Sequence, residues 1–175
     1  VRRPFFIMIA GPNGSGKTTL TDALRRSLDL GTYINTDEIA LFLGGGSLGG
    51  GSAEERARRA QNQALQAVET ALSAGRDFSF ETVMSHPSKI YLLGRAWVSG
   101  FFVKLRFVST SNPMINLTRV VARVQRGGHD VPPDKIKSRM SDPRAISTGP
   151  RNMPTKEPSS TIRYLTTFQA YPRSL

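Results

Sequence analysis

The sequence predicts an α/β domain built around a parallel sheet, and three observations carry that expectation. Short β-rich runs alternate with stretches of helical spacing, no period of about 20–50 residues repeats, and a glycine-rich turn stands between the first apolar strand and the first helix. The chain has 175 residues, the length of one ordinary domain, and 38% of them are hydrophobic, enough to bury a core.

The first strand is Phe5–Ala10, apolar on both faces as a central parallel strand is. It is also the longest apolar run near the start, too short for the hydrophobic region of a signal peptide or for a bilayer span, so the chain reads as soluble and cytoplasmic, without membrane contact. The strand stops at Gly11-Pro12-Asn13-Gly14, and a helix is expected from about Gly16 to Ser27, followed by a second strand at Thr32–Thr36. Gly44–Ser52, reading GGGSLGGGS, is too glycine-rich to pack and reads as a mobile loop. Ser52-Ala53-Glu54-Glu55 is a capping box that opens a helix running to about Ala74. Ala57, Ala60, Ala64, Leu65, Val68, Ala71 and Leu72 keep helical spacing along it, the pattern of a helix lying on a sheet. A third strand falls at Phe78–Glu81 and a fourth at Phe101–Ser109, with helices at about 87–99 and 113–126, each opened by a proline, Pro87 and Pro113, in its first turn. Residues 141–160, rich in Pro, Ser, Thr and Arg, read as loop or disorder, and Ser160–Phe168 as a late strand.

The absence of cysteine removes disulfides, thiol nucleophiles and iron–sulfur clusters, and leaves two histidines and 13 carboxylates for any metal or acid–base chemistry. The formal charge of +11 calls for an anionic partner: a nucleotide, a phosphorylated metabolite, nucleic acid or a membrane surface. Residues 119–175 hold eleven basic side chains against four acidic ones, so the anion-facing surface is expected there.

Gly11-Pro12-Asn13-Gly14-Ser15-Gly16-Lys17-Thr18 matches the phosphate-binding pattern G-x-x-x-x-G-K-[ST] in full, in the strand–turn–helix context the pattern requires, with Thr19 next to it. Glycines let successive N–H groups turn toward a phosphate, and the helix N-terminus adds partial positive charge. Lys17 is expected to reach the β- and γ-phosphates of ATP, and Thr18 to place its hydroxyl on Mg²⁺. Asp37, after the second strand, is either a base that accepts the proton of a substrate hydroxyl or an N-cap for the following turn. Glu81, ending the third strand with Thr82 beside it, either supports Mg²⁺ directly or through water, grips the substrate, or is a solvated strand end. Arg119, Arg123 and Arg126 stand at i, i+4 and i+7 on one helical face, where like charges repel, so either an anion is expected against them or they form a solvated basic face. In the first case the guanidiniums of Arg119, Arg123 and Arg126 clamp the transferring phosphoryl group and Gly127-Gly128 is the hinge of a closing lid, with His129 as a packing or capping residue of that lid.

With these residues in hand, the chain resembles the zeta toxin family of small P-loop kinases. The matching pieces are GPNGSGKTTL, YINTDEIA, FSFET and RVVARVQRGGHDVPPDKIKSR, covering roughly residues 3–139. The resemblance implies a P-loop NTPase of kinase type: a three-layer sandwich with a parallel sheet of four or five strands and a small helical lid. It further implies a core over residues 1–140, the lid at about 119–140, and an atypical segment over 141–175 that is part of the same domain or disordered. It implies ATP and Mg²⁺ as cofactors, transfer of phosphate to the 3′-hydroxyl of the aminosugar in UDP-N-acetylglucosamine, and a protein antitoxin as partner. By position, Lys17 and Thr18 match the phosphate and magnesium residues, Asp37 the base, Glu81 the acidic residue after the third strand, and Arg123 and Arg126 the lid arginines. The sequence departs from the family where about thirty residues separate Arg139 from Tyr171-Pro172-Arg173-Ser174-Leu175, so the usual closing strand is expected to be absent or replaced.

Two other readings stay open. A nucleic-acid 5′-hydroxyl kinase or nucleotide-dependent switch would use the basic C-terminal third, although that third has few aromatics for base stacking, which makes nucleic acid the weaker partner. A non-catalytic nucleotide-binding relative would fit the atypical end. A transporter-type ATPase is excluded, because neither an LSGGQ signature nor an apolar strand ending in Asp-Glu is present.

Overall fold

The computed structural model describes residues 2–45, 51–110, 112–125 and 162–170. Their elements, in chain order, are β1 (Phe5–Ala10), α1 (Lys17–Arg25), β2 (Thr32–Asn35), α2 (Thr36–Gly45), α3 (Ala53–Ser73), β3 (Phe78–Thr82), α4 (Ser88–Val98), β4 (Phe102–Thr110), α5 (Pro113–Gln125) and β5 (Ile162–Ala170). The strands form one sheet in the order β2-β3-β1-β4-β5. The first four are parallel, and β5 pairs antiparallel with β4, with a register shift between Arg106 and Phe107.

Alternation along β1 explains why its sequence is apolar throughout. Phe6, Met8 and Ala10 join Phe78, Phe80 and Val103 in a core roofed by Ala64, Val68, Ala71 and Leu72 of α3 and Leu92 and Ala96 of α4. Ile7 and Ile9 point the other way, toward Leu30 and the α1 side chains Leu20 and Leu24. The result is a sheet sandwiched between helices. The rings of Phe6 and Phe78 stack at 4.3 Å between centroids, and Phe101 meets Phe78 edge-on. Phe78 is fully buried, so Phe78→Ala is expected to cost about 3–5 kcal/mol, read from chemical denaturation midpoints; a loss under about 1 kcal/mol would contradict this packing.

The capping box forms in both directions: Glu55 N–H donates to Ser52 Oγ at 3.2 Å, and Ser52 N–H to Glu55 Oε2 at 2.7 Å. Of the expected inward positions on α3, Ala57 and Leu65 are exposed. A 21-residue helix is about 31 Å long whereas the five residues of β3 span about 17 Å, so the first turns of α3 overhang the sheet and take Ala57 with them. Leu65 sits at the margin of the buried stripe.

Three expectations change. The second strand ends at Asn35 and a helix follows at once, so Gly44 and Gly45 belong to α2 rather than to a loop; residues 46–50 lie outside the described residues. Ile39 of α2 packs on the core, and that burial outweighs the poor helix propensity of two terminal glycines. Pro87 is the N-cap of α4 rather than a residue of its first turn. The late strand stands at Ile162–Ala170 and runs antiparallel, so a closing strand does lie on the β4 edge; antiparallel edge strands on parallel sheets are common. The lid beyond Gln125, including Arg126, Gly127, Gly128 and His129, and the segment 141–160 lie outside the described residues. Among the described residues no helix is long and apolar enough to cross a membrane.

The four parallel strands bring Gly11, Asn35, Glu81 and Thr110 to one edge of the sheet. This is the edge at which open α/β sheets bind ligands.

Candidate active site

The turn between β1 and α1 is shaped by its neighbours. Gly11 and Gly14 have φ of +150° and +76°, a backbone region costly for other residues. A Cβ on Gly11 would lie 2.1 Å from the Val108 carbonyl oxygen, and one on Gly14 2.4 Å from that of Asn116, so the loop is wedged between β4 and α5 with room for glycine alone. Ser15 N–H donates to the Pro12 carbonyl at 3.2 Å, and Lys17 Nζ donates to the same oxygen at 3.2 Å, folding the lysine back over the loop. Helix α1 starts at Lys17 and has no acidic residue in its own first turn, so the positive end of its dipole meets the loop.

Glu81 faces this loop from the end of β3, paired in register with Ile9 of β1 and Asn35 of β2. Its carboxylate is buried and held from three sides. Tyr33 donates its hydroxyl to Oε2 at 2.7 Å, Thr21 donates to Oε2 at 2.9 Å, and Thr18 donates to Oε1 at 3.3 Å. Glu81 is therefore not a solvated strand end. Burial, and then the Glu81 charge beside it, push the Tyr33 phenol above its ordinary range, which keeps it a proton donor. The Arg25 guanidinium lies 4.1 Å above the Tyr33 ring, and Asn35 Nδ2 donates to the Tyr33 oxygen at 2.9 Å.

Asn35 bears on the placement of Asp37. Its Oδ1 accepts from the Asp37 N–H at 2.9 Å, so Asn35 is the side chain that caps α2, and Asp37 stands one residue inside the helix and lines the cleft. Asp37 and Glu38 in the first turn also suit the helix dipole.

A cleft of about 200 Å³ opens where these pieces meet, lined by Asn13, Gly14, Gly16, Lys17, Thr18, Thr19, Asp37, Glu81, Arg119 and Val120. Of the residues singled out in the sequence, Lys17, Thr18, Thr19, Asp37 and Glu81 thus line one cleft. Gly11, Pro12 and Ser15 shape the loop from behind rather than line the cleft. Thr82 is not among the lining residues either: its carbonyl accepts from Gly11 N–H and its hydroxyl from Met84 N–H, so it ties off the strand end. From the basic run Arg119 lines the cleft, with Nη1 donating to the Gly14 carbonyl at 3.4 Å. Arg123 follows one turn later in α5, and Arg126 lies outside the described residues.

Sequence reasoning missed Thr21 and Tyr33. Thr21 carries a usable signal, since it stands four residues after Lys17 on the same helical turn face. Tyr33 carries the same kind of signal two residues before Asn35, on the same side of β2.

Comparison with known proteins agrees with this architecture. A family model described as an AAA domain (AAA_33) matches residues 6–142. An uncharacterised protein of Haemophilus influenzae is 29% identical over 137 residues, covering 76% of this chain and 90% of that protein. Among solved structures, a kinase candidate from Chloroflexus aurantiacus superposes with a TM-score of 0.63 at 17% identity over 80% of each chain. A chain of the Pnkp1/Rnl/Hen1 RNA repair complex superposes with a TM-score of 0.59 at 19% identity, covering 79% of this chain. This chain spans only 43% of that repair-complex chain. The two solved structures share with this chain its α/β fold, a parallel sheet with helices packed on it.

Proposed function

Because the chain belongs to the AAA domain family and has a P-loop, kinase-like fold, we propose that it is an ATP-dependent phosphotransferase, moving the γ-phosphate to a hydroxyl of a small anionic acceptor. The observation that carries this reading is the meeting of Lys17, Thr18, Asp37, Glu81 and Arg119 around one cleft.

The donors present fit Mg²⁺. Thr18 and Glu81 offer a hydroxyl and a carboxylate, both hard oxygen ligands, and among the described residues no cluster of three His, Asp or Glu side chains forms a cage. That is the kind of site Mg²⁺ uses, because it keeps waters and phosphate oxygens in its shell. When bound, the ion would neutralise charge on the phosphates. The chain's own groups do the rest. Loop N–H groups and the α1 N-terminus hold the phosphates, and Lys17 exchanges the Pro12 carbonyl for the β- and γ-phosphates. Asp37 accepts the proton of the acceptor hydroxyl as its oxygen bonds to the γ-phosphorus and the bond to the β–γ bridging oxygen breaks, releasing ADP. Arg119, with Arg123 and Arg126 further along the run, balances charge on the transferring group.

The finer reading is a zeta-toxin-type kinase acting on UDP-N-acetylglucosamine, supported by the motifs YINTDEIA, FSFET and RGGHDVP. A 5′-hydroxyl end of nucleic acid is the second reading, favoured by the likeness to a chain of an RNA repair complex. Product analysis by mass spectrometry after incubation with ATP, sugar nucleotides and 5′-hydroxyl oligonucleotides separates them. A phosphorylated sugar nucleotide is expected; phosphate on oligonucleotide ends alone would favour the second reading, and nucleotide binding without any product would mark a non-catalytic relative.

The wedged loop gives a further expectation. In Gly14→Ala the new methyl group meets the backbone carbonyl of Asn116, which no side-chain rotation relieves, and a strain of about 1–3 kcal/mol is expected as lost folding stability, read from chemical denaturation midpoints. Wild-type stability in this variant would contradict the close approach.

A further inference from the structure

We infer that Tyr33 is a positioning residue of the cleft: with Thr21 it fixes one oxygen of the Glu81 carboxylate so that the other is presented to Thr18. The inference rests on the reading of the cleft as an Mg²⁺–nucleotide site and deepens it.

A glutamate at a strand end has three side-chain torsions, and its two oxygens are chemically equivalent, so burial alone does not decide which one faces the loop. Two short contacts converge on Oε2, from Tyr33 on β2 at 2.7 Å and from Thr21 on α1 at 2.9 Å, the single Thr21 proton being shared with the Lys17 carbonyl at 3.1 Å. The donors come from different elements and approach a single atom, which pins the carboxylate between strand and helix. Oε1 accepts the longer contact from Thr18, at 3.3 Å. A threonine hydroxyl has one proton and two lone pairs, so by giving its proton to Oε1 it leaves its oxygen free to face the cleft. This orientation is the one a cation ligand needs.

The direction of the Tyr33 proton is set in turn. Asn35 Nδ2 donates to the phenol oxygen, so the phenol's own proton points to Glu81, and the Arg25 guanidinium covers the ring. The other end of the same Asn35 amide accepts from the Asp37 N–H. One asparagine therefore links the partner of Glu81 to the backbone that carries Asp37.

Tyr33→Phe keeps the ring and removes only the hydroxyl. ADP affinity is measured by calorimetric titration in Mg²⁺ and again in EDTA, for the wild type, Tyr33→Phe, Glu81→Gln and the double variant. The strengthening of ADP binding by Mg²⁺ is expected to fall about tenfold in Tyr33→Phe, with affinity in EDTA unchanged and no added loss in the double variant beyond Glu81→Gln. Thr21→Val, which removes the other donor to Oε2, is expected to act in the same direction and serves if Tyr33→Phe does not fold. Unchanged Mg²⁺ dependence in Tyr33→Phe overturns the inference, and so does equal weakening in Mg²⁺ and EDTA, which marks a merely structural role. A wild type that binds ADP equally well with and without Mg²⁺ defeats the reading of the cleft itself, and the inference with it.

Discussion

Lys17→Ala is expected to lower the rate of phosphoryl transfer by about 10²–10³-fold, the loss seen when one preorganised group that stabilises transition-state charge is removed from a water-poor site. Lys17 is only 9% exposed, and its ammonium lies over the loop, bonded to the Pro12 carbonyl. A cation so placed acts in a lower dielectric than water, where its attraction to the charge on the transferring group is larger. Its effect on ADP affinity is expected to be smaller, because loop N–H groups and the α1 N-terminus still hold the phosphates. Steady-state ADP release with saturating ATP checks the rate, and calorimetric titration checks affinity. An unchanged rate would remove the P-loop lysine from the mechanism.

Asp37→Ala separates chemistry from binding. Loss of a general base costs typically about 10²–10⁴ in rate, and that loss is expected here with ATP affinity within about twofold of the wild type. The variant is informative because of how α2 begins. Asn35, not Asp37, provides the side-chain cap, so removing the Asp37 carboxylate leaves the first turn of the helix intact. Asp37 is exposed on its helix and lies on the cleft, so no core packing is lost either. Single-turnover transfer, read together with thermal melting, distinguishes a lost base from a damaged fold. Full retention of turnover would show that Asp37 takes no part in transfer.

What was legible in the sequence was local. Strand β1, the glycine turn and helix α1 are contiguous, and each glycine there has a backbone reason within reach of the motif, although the clashes with Val108 and Asn116 that fix Gly11 and Gly14 come from distant segments. The capping box at Ser52 and Glu55 was equally legible, since both hydrogen bonds span three residues. Helix α2 was not: its last two residues are glycines and its hold comes from packing on the core through Ile39, which no local propensity records. The surroundings of Glu81 were hidden for the same reason. Thr18, Thr21 and Tyr33 lie 63, 60 and 48 residues from it along the chain, and only the adjacency of β2, β3 and α1 brings them to one carboxylate. The basic run showed its helical face in the sequence, but that Arg119 meets the loop depends on how α5 is set against Gly14.

The most direct measurement of the central claim, that this cleft transfers phosphate to a hydroxyl, is the fate of label from γ-labelled ATP, followed in parallel for the wild type and Lys17→Ala with hydroxyl acceptors present. Label on an acceptor with the wild type, and at least about a hundredfold less with Lys17→Ala, is the result this reading predicts. Label that stays on ATP or passes only to water, with bound nucleotide confirmed in the same samples, would contradict it.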